Sequence, residues 1–203
     1  MSVVGSNILA GASGQSTGYD IDQSLRFDDG DSAYLSRTPG SAGNRRTWTL
    51  SWWEKKTFPN NGYVYSQGTN GATNNILIGP NDTEGRLWIR EVTSSSADVF
   101  GWYVDSYARD PAAWYHFVVA VDTTQVTSTD RVKIYINGVQ QTLTAAGGGA
   151  PSLNLETELN NTTTGYIGAW TTSGAYKDGY LAEVHLIDGT ALDASSFGET
   201  DAA

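Results

Sequence analysis

The sequence predicts an all-β fold, built as a sandwich, jelly roll or barrel of antiparallel strands. β-branched and aromatic residues occur in short runs, which are separated by clusters of Gly, Asn, Asp, Ser and Thr. About ten to twelve such runs follow one another at short spacing, as is typical of antiparallel all-β domains. Helical periodicity is nearly absent before the C-terminus.

The strand-like runs can be assigned in order along the chain. Residues 23–37 ("QSLRFDDGDSAYLSR") predict a strand, a turn at "DDGD" and a second strand. Further strands are predicted within residues 45–56, 62–68, 74–80, 85–92, 97–107, 114–122, 131–143, 164–170 and 178–192. The clearest turn is Asn137-Gly138, because both residue types accept the positive φ that a two-residue type I′ hairpin requires.

Alternation along the strands predicts which side chains meet the core. Trp48, Leu50 and Trp52 share one face and Trp53 lies on the other, so this strand should be covered on both sides. Residues 114–122 are apolar on both faces and should be central in a sheet. In the last strand, one face is expected to carry Tyr180, Ala182, Val184 and Leu186, and the other Glu183 and His185.

Composition excludes several kinds of site and partner. The 203 residues include no cysteine, which excludes disulfides and thiolate metal sites, and only two histidines, which makes a histidine-based zinc site hard to build. The net charge of −10 argues against nucleic acid and anionic membranes as partners, because both are bound through Lys and Arg. No apolar run approaches the roughly 18 residues of a membrane span.

The chain divides into three segments. Residues 1–22 are rich in Gly, Ser and Ala and are expected to form a flexible arm, either mobile or ordered on a partner. Residues 23–197 form the β domain, and residues 198–203 form a short tail. The N-terminus has no basic region and no long apolar core, so it does not resemble a secretory signal.

Five motifs, in order, resemble a known superfamily. They are "WTLSWWEKK", "VYSQG", "WYHFVVAVD…RVKIYINGVQQ", "GYIGAW" and "YKDGYLAEVHLIDGTALDASSF". Together they resemble laminin-G-like, or concanavalin-A-like, lectin/glucanase domains, over roughly Gln23 to Phe197. The resemblance implies a two-sheet antiparallel jelly-roll sandwich. The segments "SLRFDDGDSAYLSRTPGSAGNRRTW" and "LAEVHLIDGTALDASSFGETD" resemble bacteriophage virion proteins that carry such a domain. A virion location after synthesis in the bacterial host cytoplasm is therefore expected.

The superfamily includes β-glucanases, but catalysis is not expected. Its catalytic strands carry a triple-acid motif, whereas "LETELN" offers only Glu156 and Glu158, expected on one strand face. His116 lies within an apolar run and should be satisfied inside the fold, and His185 should face solvent.

The resemblance also implies a possible calcium ion at the sandwich rim, bound by carboxylate, amide and carbonyl oxygens. No spacing here is diagnostic of a calcium loop, and Asp-Gly turns serve mainly backbone geometry. The candidate ligands are Asp122, Asn74, Asn75, Asp178 and the turn residues Asp28, Asp29 and Asp31.

Aromatic residues supply the candidate glycan site. Most of the seven Trp are expected in the core, among them Trp48, Trp53, Trp88 and Trp114. Rings near loops or strand ends can stack on sugar rings, or else cover sandwich edges and subunit contacts. The candidates are Trp102, Tyr103, Trp170 and Tyr176.

The sequence therefore favours a non-enzymatic virion structural protein whose lectin-like domain mediates fibre-type adhesion to cell-surface glycan. Its expected partners are copies of itself, other virion proteins and that glycan. The alternative is a capsid decoration or cement protein, in which the sandwich and the N-terminal arm make subunit contacts. A glycan hydrolase is retained as a third class. The glycan, the oligomeric state and the position in the particle stay open.

Overall fold

The computed structural model describes residues 23–57, 62–69, 74–80, 85–93, 97–170 and 174–198. These residues form two antiparallel sheets packed face to face, and no α-helix occurs among them. No helix in the described part of the chain is long and apolar enough to cross a bilayer. The arm predicted at residues 1–22 and residues 199–203 of the tail lie outside the described residues.

The six-stranded sheet has the strand order β1-β13-β3-β8-β9-β10. The seven-stranded sheet has the order β11-β7-β6-β5-β4-β12-β2. The strand bounds are β1 Leu25–Phe27, β2 Leu35–Arg37, β3 Thr47–Lys56, β4 Tyr65–Gly68, β5 Asn75–Pro80, β6 Leu87–Val92, β7 Asp98–Val104, β8 Tyr115–Asp122, β9 Val132–Ile136, β10 Val139–Gln140, β11 Leu143–Ala145, β12 Gly165–Ile167 and β13 Gly179–Asp188. Two short 3₁₀ turns span Ser128–Asp130 and Ala194–Ser196.

The "DDGD" turn joins β1 to β2, but these strands do not form a hairpin. β1 pairs with β13 in one sheet, and β2 pairs with β12 in the other. The turn therefore carries the chain across the edge of the sandwich, which sequence alternation does not reveal.

The core lies between the two sheets and is built by alternation. Trp48, Leu50 and Trp52 are fully buried on the inner face of β3, as the sequence predicts. Trp52 stacks on Phe117 of β8 with ring centroids 5.2 Å apart. The opposite face of β3 is also covered, because the Thr49 hydroxyl donates to the carbonyl of Thr190 in the C-terminal segment. The prediction of a strand covered on both faces is confirmed.

The strand predicted to be central is β8, which lies between β3 and β9. The hairpin after β9 is also confirmed, since Asn137 and Gly138 have φ angles of 48° and 81°. The Asn137 side chain accepts a hydrogen bond from the backbone N–H of His116, so the turn is tied to β8.

A β-bulge in β13 corrects the predicted face assignment. The register against β3 shifts between Ala182 and His185, and Glu183 has a φ of 48°. Before the bulge Leu181 faces the core, and after it Leu186 lies opposite the core residue Leu50. Tyr180 and Ala182 therefore share the outer face with His185 instead of the face of Val184 and Leu186, because the bulge inserts one residue.

Three of the tryptophans predicted for the core lie elsewhere. Trp53 stacks on His116 on the outer face of the six-stranded sheet, with centroids 4.9 Å apart. Trp114 meets Tyr180 edge-on at 6.5 Å on the same face. Trp88 lies on the outer face of the seven-stranded sheet, directly opposite Tyr103. Trp48 alone of the four is a core residue.

Candidate functional site

The outer face of the seven-stranded sheet gathers aromatic and arginine side chains. In β6, Leu87 and Ile89 are buried in the core, so alternation turns Trp88 and Arg90 outward. Tyr103 of β7 lies opposite Trp88 and faces outward with it. The candidate Trp102 lies opposite Ile89, faces inward and packs against the core, so its ring is not presented at a loop edge.

Arginine guanidinium groups stack on several of these outward rings. Arg86 lies 4.4 Å from the Tyr103 ring centroid and 5.4 Å from that of Tyr107. Arg109 lies 4.0 Å from the Tyr107 centroid. Arg90 lies 5.0 Å from the Trp88 centroid and pairs with Asp98. Such stacking holds a planar cation and an aromatic ring together.

The aromatic surface continues across the sheet through two connections that lie over it. Tyr63 lies above Gly79, where an added Cβ would come within 2.9 Å of the Tyr63 Cα. Tyr63 meets the candidate Trp170 edge-on, with centroids 6.1 Å apart. The hydroxyl of Ser66 donates to the carbonyl of Ala169, which fixes the segment that carries Trp170. These connections need Gly79, because any side chain there would displace them.

A second group of rings lies beyond Trp170. Tyr34 lies 5.8 Å from Tyr166 and stacks at 6.3 Å on the candidate Tyr176, measured between centroids. Tyr166 lies opposite Ser66 on the outer face. We call the whole set the aromatic face; it consists of Tyr34, Tyr63, Trp88, Tyr103, Tyr107, Tyr166, Trp170 and Tyr176 with Arg86, Arg90 and Arg109.

A buried ion pair anchors one side of the aromatic face. The Lys177 Nζ lies 2.6 Å from Glu54 Oε1, and both side chains are 1% exposed. Burial acts to raise the pKa of Glu54, but the ammonium groups of Lys177 and Lys56 outweigh it, and the pKa lies below its ordinary value. The Lys177 backbone N–H donates to the Gly168 carbonyl at 2.8 Å. The pair therefore joins the segments carrying Trp170 and Tyr176 to β3.

The aromatic face has the chemistry of a carbohydrate-binding surface. Burial raises the pKa of the Tyr63 hydroxyl, and the positive charge of Arg90 acts against this rise, so the Arg90 guanidinium influences the Tyr63 hydroxyl. Aromatic rings offer flat apolar area to sugar rings, and guanidinium groups offer donors to hydroxyl or carboxylate oxygens. Three of the twelve Lys and Arg residues of the chain lie on this face.

The calcium candidates do not form one constellation. Asp122 and Asp178 lie near opposite ends of the ten-residue strand β3, about 30 Å apart at the usual rise per residue. The Asp122 carboxylate already accepts hydrogen bonds from Thr124 and Gln125, which outweigh burial and lower its pKa. Asp178 accepts a hydrogen bond from Thr57. The described residues contain no group of three or more acidic or histidine side chains that could hold a metal ion.

The remaining metal candidates also have structural roles. Asn75 is buried in β5, and Asn74 hydrogen-bonds towards the buried carboxyl of Glu91. In the turn between β1 and β2, Asp28 pairs with Arg26 and accepts from the Gly30 N–H. The backbone carbonyl of Asp29 accepts a hydrogen bond from the Ser32 N–H, and the Asp31 side chain is exposed in the same turn. These hydrogen bonds are those of a turn. The turn residues therefore do not form a calcium ligand set in the described part of the chain.

Glu156 and Glu158, the two candidate acids of a hydrolase, do not lie on a strand. Residues 151–164 form turns and loops, which corrects the expected common strand face. Glu156 is 53% exposed and pairs with Arg45 and Arg46, whereas Glu158 is 8% exposed and pairs with Arg45. Both carboxylates are thus held by arginine instead of facing each other across a groove.

The histidines also have structural partners. His116 is buried, its Nε2 lies 2.8 Å from the Ser51 hydroxyl, and burial lowers its pKa. His185 is half exposed, and its Nε2 lies 3.0 Å from Glu183. The ring of Phe197 lies between the two imidazoles, at 6.3 and 6.4 Å. His116 is satisfied within the fold, as the sequence indicates.

Sequence reasoning missed most of the aromatic face. Tyr103, Trp170 and Tyr176 lie on it, but its arginines and Trp88 were not proposed. The alternation of buried and outward residues in "RLWIR" would have placed Trp88 and Arg90 together on an outer face. The approach of Tyr34 to Tyr176 and of Tyr63 to Trp170 carries no such local signal, because these residues are far apart in the chain.

A comparison with protein families gives a match over most of the chain. Residues 28–196 match the family model described as the concanavalin A-like lectin/glucanases superfamily. A search of curated proteins finds no significant match.

Solved structures share the fold at low sequence identity. A heptameric SAP-like pentraxin from Limulus polyphemus aligns with a TM-score of 0.53 and 16% identity, over 83% of this chain and 77% of the pentraxin chain. The CBM40 of the Ruminococcus gnavus IT-sialidase aligns with a TM-score of 0.50 and 12% identity, over 81% of this chain and 96% of the CBM40 chain. Tailspike protein 2 from Escherichia coli O157:H7 bacteriophage CAB120 aligns with a TM-score of 0.51 and 10% identity. The alignment covers 82% of this chain but 23% of the tailspike chain.

Proposed function

The chain belongs to the concanavalin A-like lectin/glucanases superfamily, and we propose that it is a non-enzymatic adhesion domain that binds glycan through the aromatic face. One observation carries this proposal: outward aromatic rings and arginines run continuously across the seven-stranded sheet. The lectin-like fold supports it, because the superfamily that the chain matches includes lectins.

Binding by one such domain would be weak. A shallow site of a few rings corresponds to a Kd of about 1 mM, or roughly −4 kcal/mol. Linking several copies raises the apparent affinity by roughly 10² to 10⁴ without any new contact. The adhesion function therefore requires a homo-oligomer or another multivalent arrangement.

We place this domain in a bacteriophage virion, as part of a tail or head fibre that contacts the host-cell surface. The sequence motifs at both ends of the domain support this location, and a phage tailspike shares the fold. In this setting the protein is made in the bacterial cytoplasm and assembles with other virion proteins. It binds no nucleic acid, consistent with its net charge of −10.

The test is a glycan array probed with the purified chain displayed multivalently, with calcium and again with a chelator. Trp88→Ala and Trp170→Ala should each remove binding, because each deletes a ring of the aromatic face. Trp114→Ala is the matched control, since its ring lies on the outer face of the other sheet. Binding that survives both face variants, or is lost equally in the control, refutes the aromatic face as the site. Silence of the folded chain across a broad array favours the capsid decoration function instead.

A further inference from the structure

The segment that follows β13 folds back over the outer face of the six-stranded sheet. We call residues 189–197 the C-terminal strap. Its first part is tied to β3, because the Leu192 N–H donates to the Thr49 hydroxyl at 2.8 Å. In its last part, the N–H groups of Ser195, Ser196 and Phe197 donate only within the strap among the described residues. Backbone hydrogen bonds therefore do not hold the end of the strap on the sheet.

The ring of Phe197 holds the end of the strap against two histidines. Its centroid lies 6.3 Å from that of His116 in β8 and 6.4 Å from that of His185 in β13. A cavity of about 340 Å³ lies beside these rings and is also lined by Trp53 and Ile187. The end of the strap is thus attached through ring contacts at the rim of a cavity.

His116 is held in surroundings that suit a neutral imidazole. Its ring stacks on Trp53 at 4.9 Å, and its Nε2 lies 2.8 Å from the Ser51 hydroxyl, which is itself buried. His116 is 7% exposed, and no carboxylate of the described residues pairs with it. A charge placed there has neither water nor a counter-ion to stabilise it.

The charges around His116 do not supply a counter-ion. Glu183, the carboxylate that lines the cavity, lies 3.0 Å from the Nε2 of His185 and so stabilises a charge on His185. The other titratable side chains of the surrounding outer face are Lys55 of β3, Tyr180 of β13, Lys133 and Tyr135 of β9, and Asp193 of the strap, which acts on Tyr135.

Burial lowers the pKa of His116 below its ordinary 6.5, and the charge of His185 acts in the same direction. The docked strap is therefore favoured fully above pH 6.5, and this contribution is lost as pH falls through the lowered pKa of His116. A charge on His185 costs less, because that side chain is 49% exposed.

We propose that the C-terminal strap is an acid-released latch, which stays docked while His116 is neutral and whose Phe197 leaves the sheet when His116 is protonated. Of the two rings that cover His116, Trp53 is fixed inside the ten-residue strand β3, whereas Phe197 ends a short 3₁₀ turn. Phe197 is therefore the cover that moves to admit water. Its release opens the cavity beside Trp53 and Ile187. The inference is independent of glycan binding.

Nuclear magnetic resonance of the full chain from pH 8 to pH 4 tests the latch. Nuclear Overhauser effects (NOEs) between the rings of Phe197 and His185 should disappear as His116 titrates. In His116→Gln they should persist at acidic pH, because the amide takes no charge. NOEs between Trp52 and Phe117, whose rings stack in the core at 5.2 Å, should persist throughout in both chains.

Three results overturn the proposal. One is survival of the Phe197–His185 NOEs through the titration of His116, and another is their equal loss in His116→Gln. The third is simultaneous loss of the Trp52–Phe117 NOEs, which means that acid unfolds the whole domain instead of releasing the strap.

The reverse effect gives a second measurement, because coupling between two events is reciprocal. Phe197→Ala should raise the pKa of His116 towards 6.5, since water then reaches the ring. A rise of one unit means that protonation weakens docking of Phe197 about tenfold. Ser195→Ala is the control, because the exposed Ser195 side chain bonds within the strap to Asp193, and it should leave the pKa of His116 unchanged. Equal pKa values in the two variants contradict the covering of His116 by Phe197.

Discussion

Replacing Glu91 by Gln should stabilise the protein at neutral pH and above. Glu91 lies on the inner face of β6, opposite the core residue Ile76, and is fully buried. Its carboxyl oxygen accepts a hydrogen bond from the Glu158 N–H at 2.9 Å. Burial raises the pKa of Glu91 from 4.5 to about 7, helped by the charge of Glu158 and opposed by the Glu158 N–H and Arg45.

The sign of the pH dependence follows from this raised pKa. The folded protein holds the Glu91 proton more tightly than the unfolded chain, so the stability it contributes is complete below pH 4.5 and is lost as pH rises through about 7. At about 1.4 kcal/mol per pKa unit, the loss is on the order of 3 kcal/mol. Gln keeps the acceptor for the Glu158 N–H but carries no charge, so Glu91→Gln should escape this loss.

Urea unfolding between pH 5 and pH 8 measures the effect. The advantage of Glu91→Gln over the natural chain should grow across this range, towards about 3 kcal/mol at pH 8. Glu156→Gln is the control, because the Glu156 side chain is 53% exposed, and its difference should stay nearly constant with pH. If the Glu91→Gln difference is equally flat, Glu91 ionises as an ordinary carboxyl and the reasoning is refuted.

Two further predictions concern the support of the aromatic face. Lys177→Met should lower the free energy of unfolding by about 3–5 kcal/mol, because it leaves the Glu54 carboxylate buried without its partner. Adding Glu54→Gln to this variant should recover most of the lost stability, as measured by urea unfolding. If no stability is recovered, the pairing of Lys177 with Glu54 is contradicted. Gly79→Ala should weaken glycan binding in a fold that circular dichroism shows to be intact, because the new Cβ displaces Tyr63. Gly174→Ala is its control, since an added Cβ there meets nothing within 4 Å, and equal binding by both variants excludes the displacement.

Local patterns predicted the strands and the core, because each depends on neighbours in sequence. Alternation placed Trp48, Leu50 and Trp52 in the core, and Asn-Gly located the hairpin. The bulge at Glu183 could not be found this way, because it depends on the register against β3. The separation of β1 and β2 into different sheets could not be found from local patterns either, because it is set by their partners β13 and β12.

Only part of the aromatic face could be selected from the sequence, because it depends on distances between segments that are far apart in the chain. Proximity to loops selected Tyr103, Trp170 and Tyr176, which lie on the aromatic face, and also Trp102, whose position in β7 turns it inward. A site built from several strands and two crossing connections depends on tertiary distances, such as the 6.1 Å between Tyr63 and Trp170. Those distances have no counterpart in sequence spacing.

Strand β2 lies between the aromatic face and an apolar groove of about 520 Å³, which is lined by Leu35 of β2 and by Val184 and Leu186 of β13. The residue before Leu35, Tyr34, stacks on Tyr176 of the aromatic face. β2 is short, lies at the sheet edge and pairs only with β12 among the described strands. A contact that holds Leu35 in place would therefore restrain β2 and with it the ring of Tyr34. Such a contact would preorganise one end of the aromatic face, and a preorganised surface binds with a smaller loss of conformational entropy.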